Sequence, residues 1–242
     1  MNLLGMFARR PVPGFCKTRL AGSLGDETAA ALSHCFVNDL VRRFRLLLDD
    51  SASDNAIHRF VVAVASETVS GPQALNDDWL LKAGLSMAQI RRQPRVSFAD
   101  RLQWFFDDSQ AIGATRCVLT GSDSPDLPLL LIRQAFSLLN QHDFVIAPAS
   151  DGGFVLVGSS VPVGPVFQNV RLGTSDACED LLAELARAGH SVAVTGLWHD
   201  VDTVDDLRAL AQRLNAGLDG AGQGGDVDCP ETLSLLRKLS LL

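Results

Sequence analysis

The sequence lacks long apolar runs, paired cysteines and an N-terminal signal, and each absence argues against one class of protein. No run reaches about 18 apolar residues, so we expect no transmembrane helix. The first residues show no charged segment followed by a long apolar stretch, so we expect no secretory signal peptide. The five cysteines are odd in number and form no CxxC pair. This argues against a disulfide framework or zinc knuckle and predicts free, mostly buried thiols in a reducing, cytoplasmic compartment.

Basic residues are also in short supply. The chain has 21 Lys and Arg against 28 Asp and Glu, a formal net charge of -7. Nucleic-acid polymers are held mainly by Lys and Arg contacts to phosphate, so an acidic chain is a poor candidate for binding them. Any phosphate group that this protein binds must be held by a local cluster of cations against the overall charge. Tyrosine is absent altogether.

What is present is enough apolar material for a folded core: 47% of residues are hydrophobic and 20% are charged. Short apolar runs typical of buried strands alternate with stretches of helical spacing. This alternation predicts βαβ units and a mostly parallel sheet, hence an α/β fold. Strands are predicted at 2–8, 60–65, 89–93, 117–120, 144–147, 154–157 and 191–195. Helices are predicted at 25–47, 72–81, 98–112, 128–140, 177–188, 203–214 and 230–239.

The chain divides into a main domain and a short appendage. Residues 1–215 are predicted to form the main domain. Residues 216–228 are rich in Gly and Asp, so 216–242 is predicted to be a flexible linker followed by a C-terminal helix. We expect this appendage to be dispensable for ligand binding. The sequence leaves the oligomeric state open, including a homo-oligomer.

In a mostly parallel sheet the ligand lies in the crevice at the carboxyl ends of the strands, so polar residues that directly follow strands are candidates. The first such segment is residues 9–19, which belong to a stretch, 9–24, that is predicted to be a loop because it is punctuated by Pro and Gly. It can hold phosphates through backbone N–H groups and cations, or it can simply be a solvated basic loop. Its candidate residues are Arg9, Arg10, Gly14, Lys17 and Arg19.

The second segment, VLTGSDSPDLP, places Asp123 just beyond an apolar strand. A carboxylate there suits a hard divalent cation, which needs only one or two protein carboxylates in addition to substrate phosphates. The alternative is structural: Asp123 would belong to a turn, and Asp126 would cap the next helix, with Pro128 in its first turn.

The third segment, WHDVDTVDDL, contains Asp200 and Asp202, which point the same way if the chain is extended. Two carboxylates side by side are unfavourable unless a cation lies between them, so both are candidate metal ligands. Thr203 and Asp206 have the spacing of a capping box at the start of a helix.

In the fourth segment, APASDGGFVLVG, Gly152 and Gly153 predict a tight turn between two strands that would let a ligand approach the backbone. Asp151 is either a turn residue or a substrate contact, and the sequence favours neither.

In this order the four segments resemble a family of bacterial GT-A-like transferases. Its members are often described as glycosyltransferases and are associated with radical-SAM or selenium-related gene neighbourhoods. The family pattern reads approximately FAKxPxPGxxKTRL, GxDxPDL, GPAxDGGY and DVDTxxDL. Here it stands as FARRPVPGFCKTRL, GSDSPDL, APASDGGF and DVDTVDDL. The departures are Arg9 for Lys, Ala147 for Gly and Phe154 for Tyr, and the last puts any contact of that hydroxyl in doubt.

The resemblance implies a three-layer α/β/α, Rossmann-like GT-A fold. It also implies a metal-dependent transferase that uses a nucleoside triphosphate or nucleotide sugar and a small-molecule acceptor. More distantly, the KxRL element and the two aspartate sites are similar to those of phospholactate and molybdenum-cofactor nucleotidyltransferases. Those enzymes join a nucleoside monophosphate to a phosphorylated acceptor and release pyrophosphate.

Nucleotidyl transfer is the leading hypothesis. Glycosyl transfer from a nucleotide sugar and a nucleotide- or partner-binding domain without turnover are the alternatives. The expected catalytic residues are Lys17, Arg19 and Asp123. The expected nucleotide-binding residues are Arg9, Arg10, Gly14, Lys17, Arg19, Asp151, Gly152 and Gly153. The expected ligands of Mg²⁺ or Mn²⁺ are Asp123, Asp200 and Asp202.

Overall fold

The computed structural model describes residues 1–48, 56–65, 77–218 and 228–241, which form one mixed sheet flanked by helices. The strands are β1 (Asn2–Ala8), β2 (Arg59–Val64), β3 (Ile90–Arg92), β4 (Arg116–Thr120), β5 (Phe144–Pro148), β6 (Phe154–Ser159) and β7 (Val192–Val194). Their order is β3-β2-β1-β4-β6-β5-β7, and among these seven strands only β6 runs antiparallel to its neighbours. The predicted α/β class with a mostly parallel sheet is therefore confirmed.

Helices connect most of the strands. They are α1 (Thr18–Leu24), α2 (Asp26–Leu46), α3 (Asp78–Lys82), α4 (Phe98–Ala111), α5 (Leu129–Leu138), α6 (Ala177–Arg187), α7 (Val204–Leu218) and α8 (Pro230–Lys238). Within the described ranges, none of these helices has the length and apolar character needed to cross a bilayer. All five cysteines are free thiols and four of them are buried, as predicted.

The helices cover both faces of the sheet. Neighbouring residues of a strand point to opposite faces, and both faces of β1 are apolar. Leu4 and Met6 pack with α2, α3 and α5 on one face, and Leu3 packs with α4 and α6 on the other. Gly5 lies under the Phe105 ring, where a Cβ would overlap the ring. The three-layer α/β/α arrangement is thus confirmed.

A third apolar cluster lies where α1, α7 and α8 pack together with the outer side of α2. Leu20, Phe36 and Leu236, one each from α1, α2 and α8, are fully buried there. This cluster explains one wrong prediction. Residues 9–24 were expected to be a loop throughout, but burial of Leu20 favours helix α1 despite Gly22 in its middle.

The start of α8 is capped by a residue from α2. The buried carboxylate of Asp39 accepts hydrogen bonds from the backbone N–H groups of Glu231 at 3.2 Å and Thr232 at 2.8 Å. These are two of the N–H groups that a helix leaves unpaired at its N-terminus. Burial raises the pKa of Asp39, although the hydrogen bonds from Thr232 and Glu231 lower it in part. Helix α8 is therefore packed and hydrogen-bonded to the main domain. We now expect that the protein needs this helix, whereas the sequence alone predicted that residues 216–242 are dispensable.

Two further predictions are wrong in detail. Asp126 does not cap α5; it is buried, and its carboxylate pairs with Arg213 Nε of α7 at 2.6 Å. The predicted linker at 216–228 begins too early, because α7 continues to Leu218. Residues 219–227 of that linker, and residues 72–76 of the predicted helix at 72–81, lie outside the described residues.

The capping box at the start of α7 is confirmed. The Asp206 carboxylate accepts from the backbone N–H of Thr203 at 2.8 Å, and Thr203 Oγ1 accepts from the N–H of Asp206 at 3.3 Å. These reciprocal bonds fix the direction in which the chain enters α7 from Asp202.

Candidate active site

A cleft of about 520 Å³ opens at the carboxyl ends of β1, β2, β3 and β4. The residue that follows each of these strands lines it: Arg9, Ala65, Gln93 and Gly121. This is the place where parallel α/β sheets hold their ligands, because the loops that leave neighbouring strands meet there.

Lys17 lies at the centre of a charged cluster in this cleft. Its side chain is 4% exposed, and its Nζ lies 2.5 Å from Asp123 Oδ1 and 3.3 Å from Asp202 Oδ1. The same ammonium donates to the carbonyl of Val201 at 2.6 Å and lies 5.7 Å from the centre of the Phe36 ring. Burial by itself would lower the pKa of Lys17, but Asp123 and Asp202 together raise it above its ordinary value. Lys17 is therefore held as a cation.

The backbone of Lys17 is in the left-handed region, with φ 48° and ψ 46°, immediately before α1. A residue with a Cβ adopts this conformation at a cost of about 1–2 kcal/mol. Strained residues of this kind are often found at functional sites.

Arg19 extends the cluster towards solvent. Its Nη1 lies 3.5 Å from Asp202 Oδ2, and its side chain is 70% exposed. Two cations, Lys17 and Arg19, thus face two carboxylates, Asp123 and Asp202, and their formal charges cancel. The structure brings two of the four predicted phosphate-binding cations and two of the three predicted metal ligands into one ion-pair cluster.

Asp200 lies near this cluster. Burial raises its pKa to about 6, and the negative charges of Asp151 and Asp202 contribute in the same direction. Within the described ranges, no three Asp, Glu, His or Cys side chains converge closely enough to form a metal cage. Asp123 and Asp202 therefore offer hard oxygen ligands on the lining of the cleft, whereas Asp200, which is also described, is not among the lining residues.

Contacts within the protein explain the conformation of the turn at Asp151, Gly152 and Gly153. Asp151 Oδ1 accepts from the N–H of Gly153 at 2.9 Å. Gly152 has φ 90°, and a Cβ there would overlap the backbone carbonyl of Ser175. The close backbone approach at Gly152 is thus made by Ser175, and a ligand contact at Asp151 stays a prediction.

We expect Gly152→Ala to lower the free energy of unfolding by about 2–4 kcal/mol, because left-handed strain and overlap with Ser175 act together. Gly173→Ala is the matched control, since Gly173 has φ 81° and open space around its Cβ position. Urea unfolding of both variants measures the difference. An equal loss in the two variants would show that the overlap with Ser175 has no energetic consequence.

Among the lining residues that the sequence analysis did not predict are Gln93, Phe98 and Arg101. The available signal was the polar stretch RRQPR at the end of the short third strand, which is followed by the N-terminus of α4. Of the remaining candidates, Arg9 lines the cleft, whereas Arg10 and Gly14, both in the described part of the chain, do not.

The sequence and the fold both have known relatives. The model of DUF2064, a family described as uncharacterized protein conserved in bacteria, matches residues 52–174. The chain belongs to this family. No functionally curated protein sequence matches it.

Among solved structures, the DUF2064 chain is similar to a candidate nucleotide-diphospho-sugar transferase from Desulfovibrio desulfuricans G20. The identity is 28%, the TM-score is 0.78, and the match covers 99% of this chain and 96% of the other. A cytidylyltransferase from Leptospira borgpetersenii serovar Hardjo-bovis matches with 14% identity and a TM-score of 0.53, covering 99% and 95%. A CMP:2-keto-3-deoxy-manno-octonic acid synthetase, solved with CTP, matches with 11% identity and a TM-score of 0.50, covering 90% and 98%. The last two likenesses establish a shared fold alone.

Proposed function

We propose that this DUF2064 protein is a metal-dependent transferase whose substrate is a phosphorylated nucleotide, and that it transfers a nucleotidyl group to a small acceptor. The observation that carries the proposal is the buried Lys17 clamped between Asp123 and Asp202 in a cleft at the carboxyl ends of the strands. The fold is shared with nucleotidyltransferases, including one solved with CTP, which supports the class of substrate.

In this proposal Lys17 and Arg19 hold the triphosphate, assisted by Arg9. Arg19 suits this role because its side chain is exposed and its contact with Asp202 is long, at 3.5 Å. Phosphate oxygens would replace carboxylate oxygens around the two cations, and charge-assisted hydrogen bonds of this kind are among the stronger ones in proteins. The cations would orient the phosphates for in-line attack, which is mainly a positional and electrostatic contribution.

The donor set fits a hard divalent cation. Asp123 and Asp202 are carboxylates already drawn to one cation, and Asp200 next to them carries an unfavourable negative charge. Mg²⁺ or Mn²⁺ would be held by two of these carboxylates together with substrate phosphates. When bound, such an ion supplies neutralisation of the charge that develops on the phosphate.

The product distinguishes this proposal from its alternatives. Nucleotidyl transfer releases pyrophosphate, and glycosyl transfer from a nucleotide sugar releases a nucleoside diphosphate. Because the chain is similar to the candidate nucleotide-diphospho-sugar transferase, glycosyl transfer stays an alternative. A binding domain without turnover would release neither product.

A nucleotide panel measured by thermal shift, with and without Mg²⁺ or Mn²⁺, tests the proposal. Binding to the native state raises the free energy of unfolding by mass action, by about 2.7 kcal/mol at a ligand concentration 100 times Kd, and the melting temperature rises with it. We expect a triphosphate to stabilise the protein in the presence of the metal and the stabilisation to be lost in Asp123→Asn. No response to any nucleotide would refute the proposal, and assay of pyrophosphate with the best nucleotide decides the reaction.

A further inference from the structure

The part of the cleft formed by Arg9 and Arg101 carries positive charge that no carboxylate of the described residues neutralises. Arg101 lies in the first turn of α4, and its guanidinium lies 5.1 Å from the centre of the Phe98 ring. Its Nη1 donates to Gln93 Oε1 at 3.0 Å, and its Nε is buried without a hydrogen-bond partner in the described ranges. Eleven buried side-chain atoms lack a hydrogen-bond partner in the described ranges, and Arg101 Nε is the one of them that belongs to a residue lining the cleft.

Gln93 holds Arg101 in place without neutralising it. The side chain of Gln93 is 2% exposed, and its Nε2 donates to the carbonyl of Ala63 at 2.6 Å. Because the amide nitrogen is used in this way, the amide oxygen faces Arg101 and accepts its hydrogen bond. An amide oxygen carries no formal charge, so the guanidinium keeps its full positive charge within the cleft.

The other charged groups nearby leave this charge unbalanced. Arg9 Nη1 donates to the carbonyl of Phe15 at 3.4 Å, and within the described ranges neither Arg9 nor Arg101 has an ion pair. Asp100, the chain neighbour of Arg101, is engaged by Ser97 and Gln168. By contrast, Lys17 and Arg19 are balanced by two carboxylates. Among the described residues that line the cleft, the positive charge that is not paired with a carboxylate is therefore that of Arg9 and Arg101.

This arrangement is unfavourable for the free protein. Burial lowers the pKa of Arg101, and the neighbouring charge of Arg9 lowers it further. Both effects mean that the charged guanidinium destabilises the folded state at any pH below its ordinary pKa. A local arrangement that reduces stability without structural benefit is characteristic of a binding site.

We propose that Arg9 and Arg101, oriented by Gln93, form an anion-binding subsite that takes a phosphate group of the ligand. Assigning that phosphate to a transferase substrate rests on the proposed function, but the subsite itself does not. Arginine suits the role because its planar group can make two parallel hydrogen bonds to one phosphate, and the buried Nε is an unused donor for such a bond.

Inorganic pyrophosphate, titrated calorimetrically in the presence of EDTA, is the first probe, because it requires neither a base nor a metal. We expect Arg101→Gln and Arg9→Gln each to weaken pyrophosphate binding by roughly 10- to 100-fold, the range expected for a lost charged hydrogen bond. Arg187→Gln is the matched control. Arg187 is 67% exposed on α6 and pairs with Glu184, so the same change of charge there should alter affinity less than about threefold by screening.

Thermal unfolding gives a second readout. Without ligand, Arg101→Met should melt at the same temperature as the wild type or higher, because an unneutralised buried charge has been removed. With pyrophosphate, the wild type should gain stability, Arg101→Lys should gain less, and Arg101→Met should gain none. If Arg101→Met melts lower while pyrophosphate affinity is unchanged, Arg101 is a structural residue and the proposal is overturned. No binding of pyrophosphate by the wild type at millimolar concentration would also overturn it.

The source of the phosphate is decided by competition. Glucose 1-phosphate is titrated into wild-type protein with and without a saturating nucleoside triphosphate. If the triphosphate blocks glucose 1-phosphate, the subsite holds a phosphate of the nucleotide; if both bind, it holds that of the second substrate.

Loss of pyrophosphate binding in Arg101→Gln, with no response to any nucleotide, would uphold the subsite and refute the proposed function. Unchanged pyrophosphate binding in Arg101→Gln, together with metal-dependent nucleotide binding, would refute the subsite and support the proposed function.

Discussion

Lys17→Met should lower the free energy of unfolding of the metal-free protein by about 2–3 kcal/mol and weaken triphosphate binding by roughly 10- to 100-fold. The stability loss follows because Asp123 and Asp202 would lose the cation between them. Removal of one partner from a fully buried ion pair costs about 3–5 kcal/mol. The loss should be smaller here, because Asp123 is 51% exposed and Asp202 is 37% exposed, so water screens both.

Two comparisons make this prediction specific. Lys82→Met, at an exposed lysine of α3, removes the same charge and should change the unfolding free energy by less than about 0.5 kcal/mol. Lys17→Met combined with Asp123→Asn should be more stable than the sum of the two single losses predicts, by about 0.5–3 kcal/mol, since the two groups interact directly. If Lys17→Met changes the unfolding free energy as little as Lys82→Met does, the ion pairs of Lys17 with Asp123 and Asp202 do not stabilise the protein.

The same variant tests the metal ligands. With Lys17 removed, Asp123 and Asp202 repel each other and are free to bind a cation, so Mg²⁺ alone should raise the melting temperature of Lys17→Met more than that of the wild type. Lys17→Met should lose more affinity for the triphosphate than for the free nucleoside. An equal loss for both ligands would show that Lys17 supports the loop and does not contact phosphate.

Sequence patterns predicted correctly those structural features that depend on residues close together in the chain. The alternation of short apolar runs with helical spacing predicted the sheet because parallel strands are buried on both faces. The capping box of Thr203 and Asp206 was predictable because its two bonds join residues three apart in the chain. The residues that follow strands were good candidates for the site, since the fold alone brings those positions together.

Interactions between distant residues could not be predicted in this way. Asp126 has the sequence position of a helix cap, yet it pairs with Arg213, and only the packing of α7 brings that arginine near. In the same way, nothing near Lys17 in the chain indicates Asp202 as its partner. The missed Arg101 belongs to α4, whose helical spacing predicts packing but does not reveal which polar residue faces a cleft.

Deletion of residues 219–242 should abolish cooperative folding, in contrast to the dispensability that the sequence alone suggests. Without α8 the third apolar cluster loses the buried residues Leu233 and Leu236. The carboxylate of Asp39 also loses the two backbone donors that satisfy it. Loss of a single buried leucine side chain costs about 2–5 kcal/mol, so loss of the whole helix approaches the total stability of a domain, about 5–15 kcal/mol.

The effect should reach the candidate active site as well, because α8 supports the loop that carries Asp123. The carbonyl of Pro125 accepts from Cys229 Sγ at 3.1 Å and from the buried Arg43 of α2 at 2.5 Å. Leu236→Ala tests this in a protein that still folds: we expect its unfolding free energy to fall by about 2–5 kcal/mol, against less than about 0.5 kcal/mol for Leu130→Ala, whose side chain is 70% exposed. Urea unfolding measures both variants and the truncated chain. A truncated chain that unfolds cooperatively at the wild-type midpoint would show that α8 is an independent appendage after all.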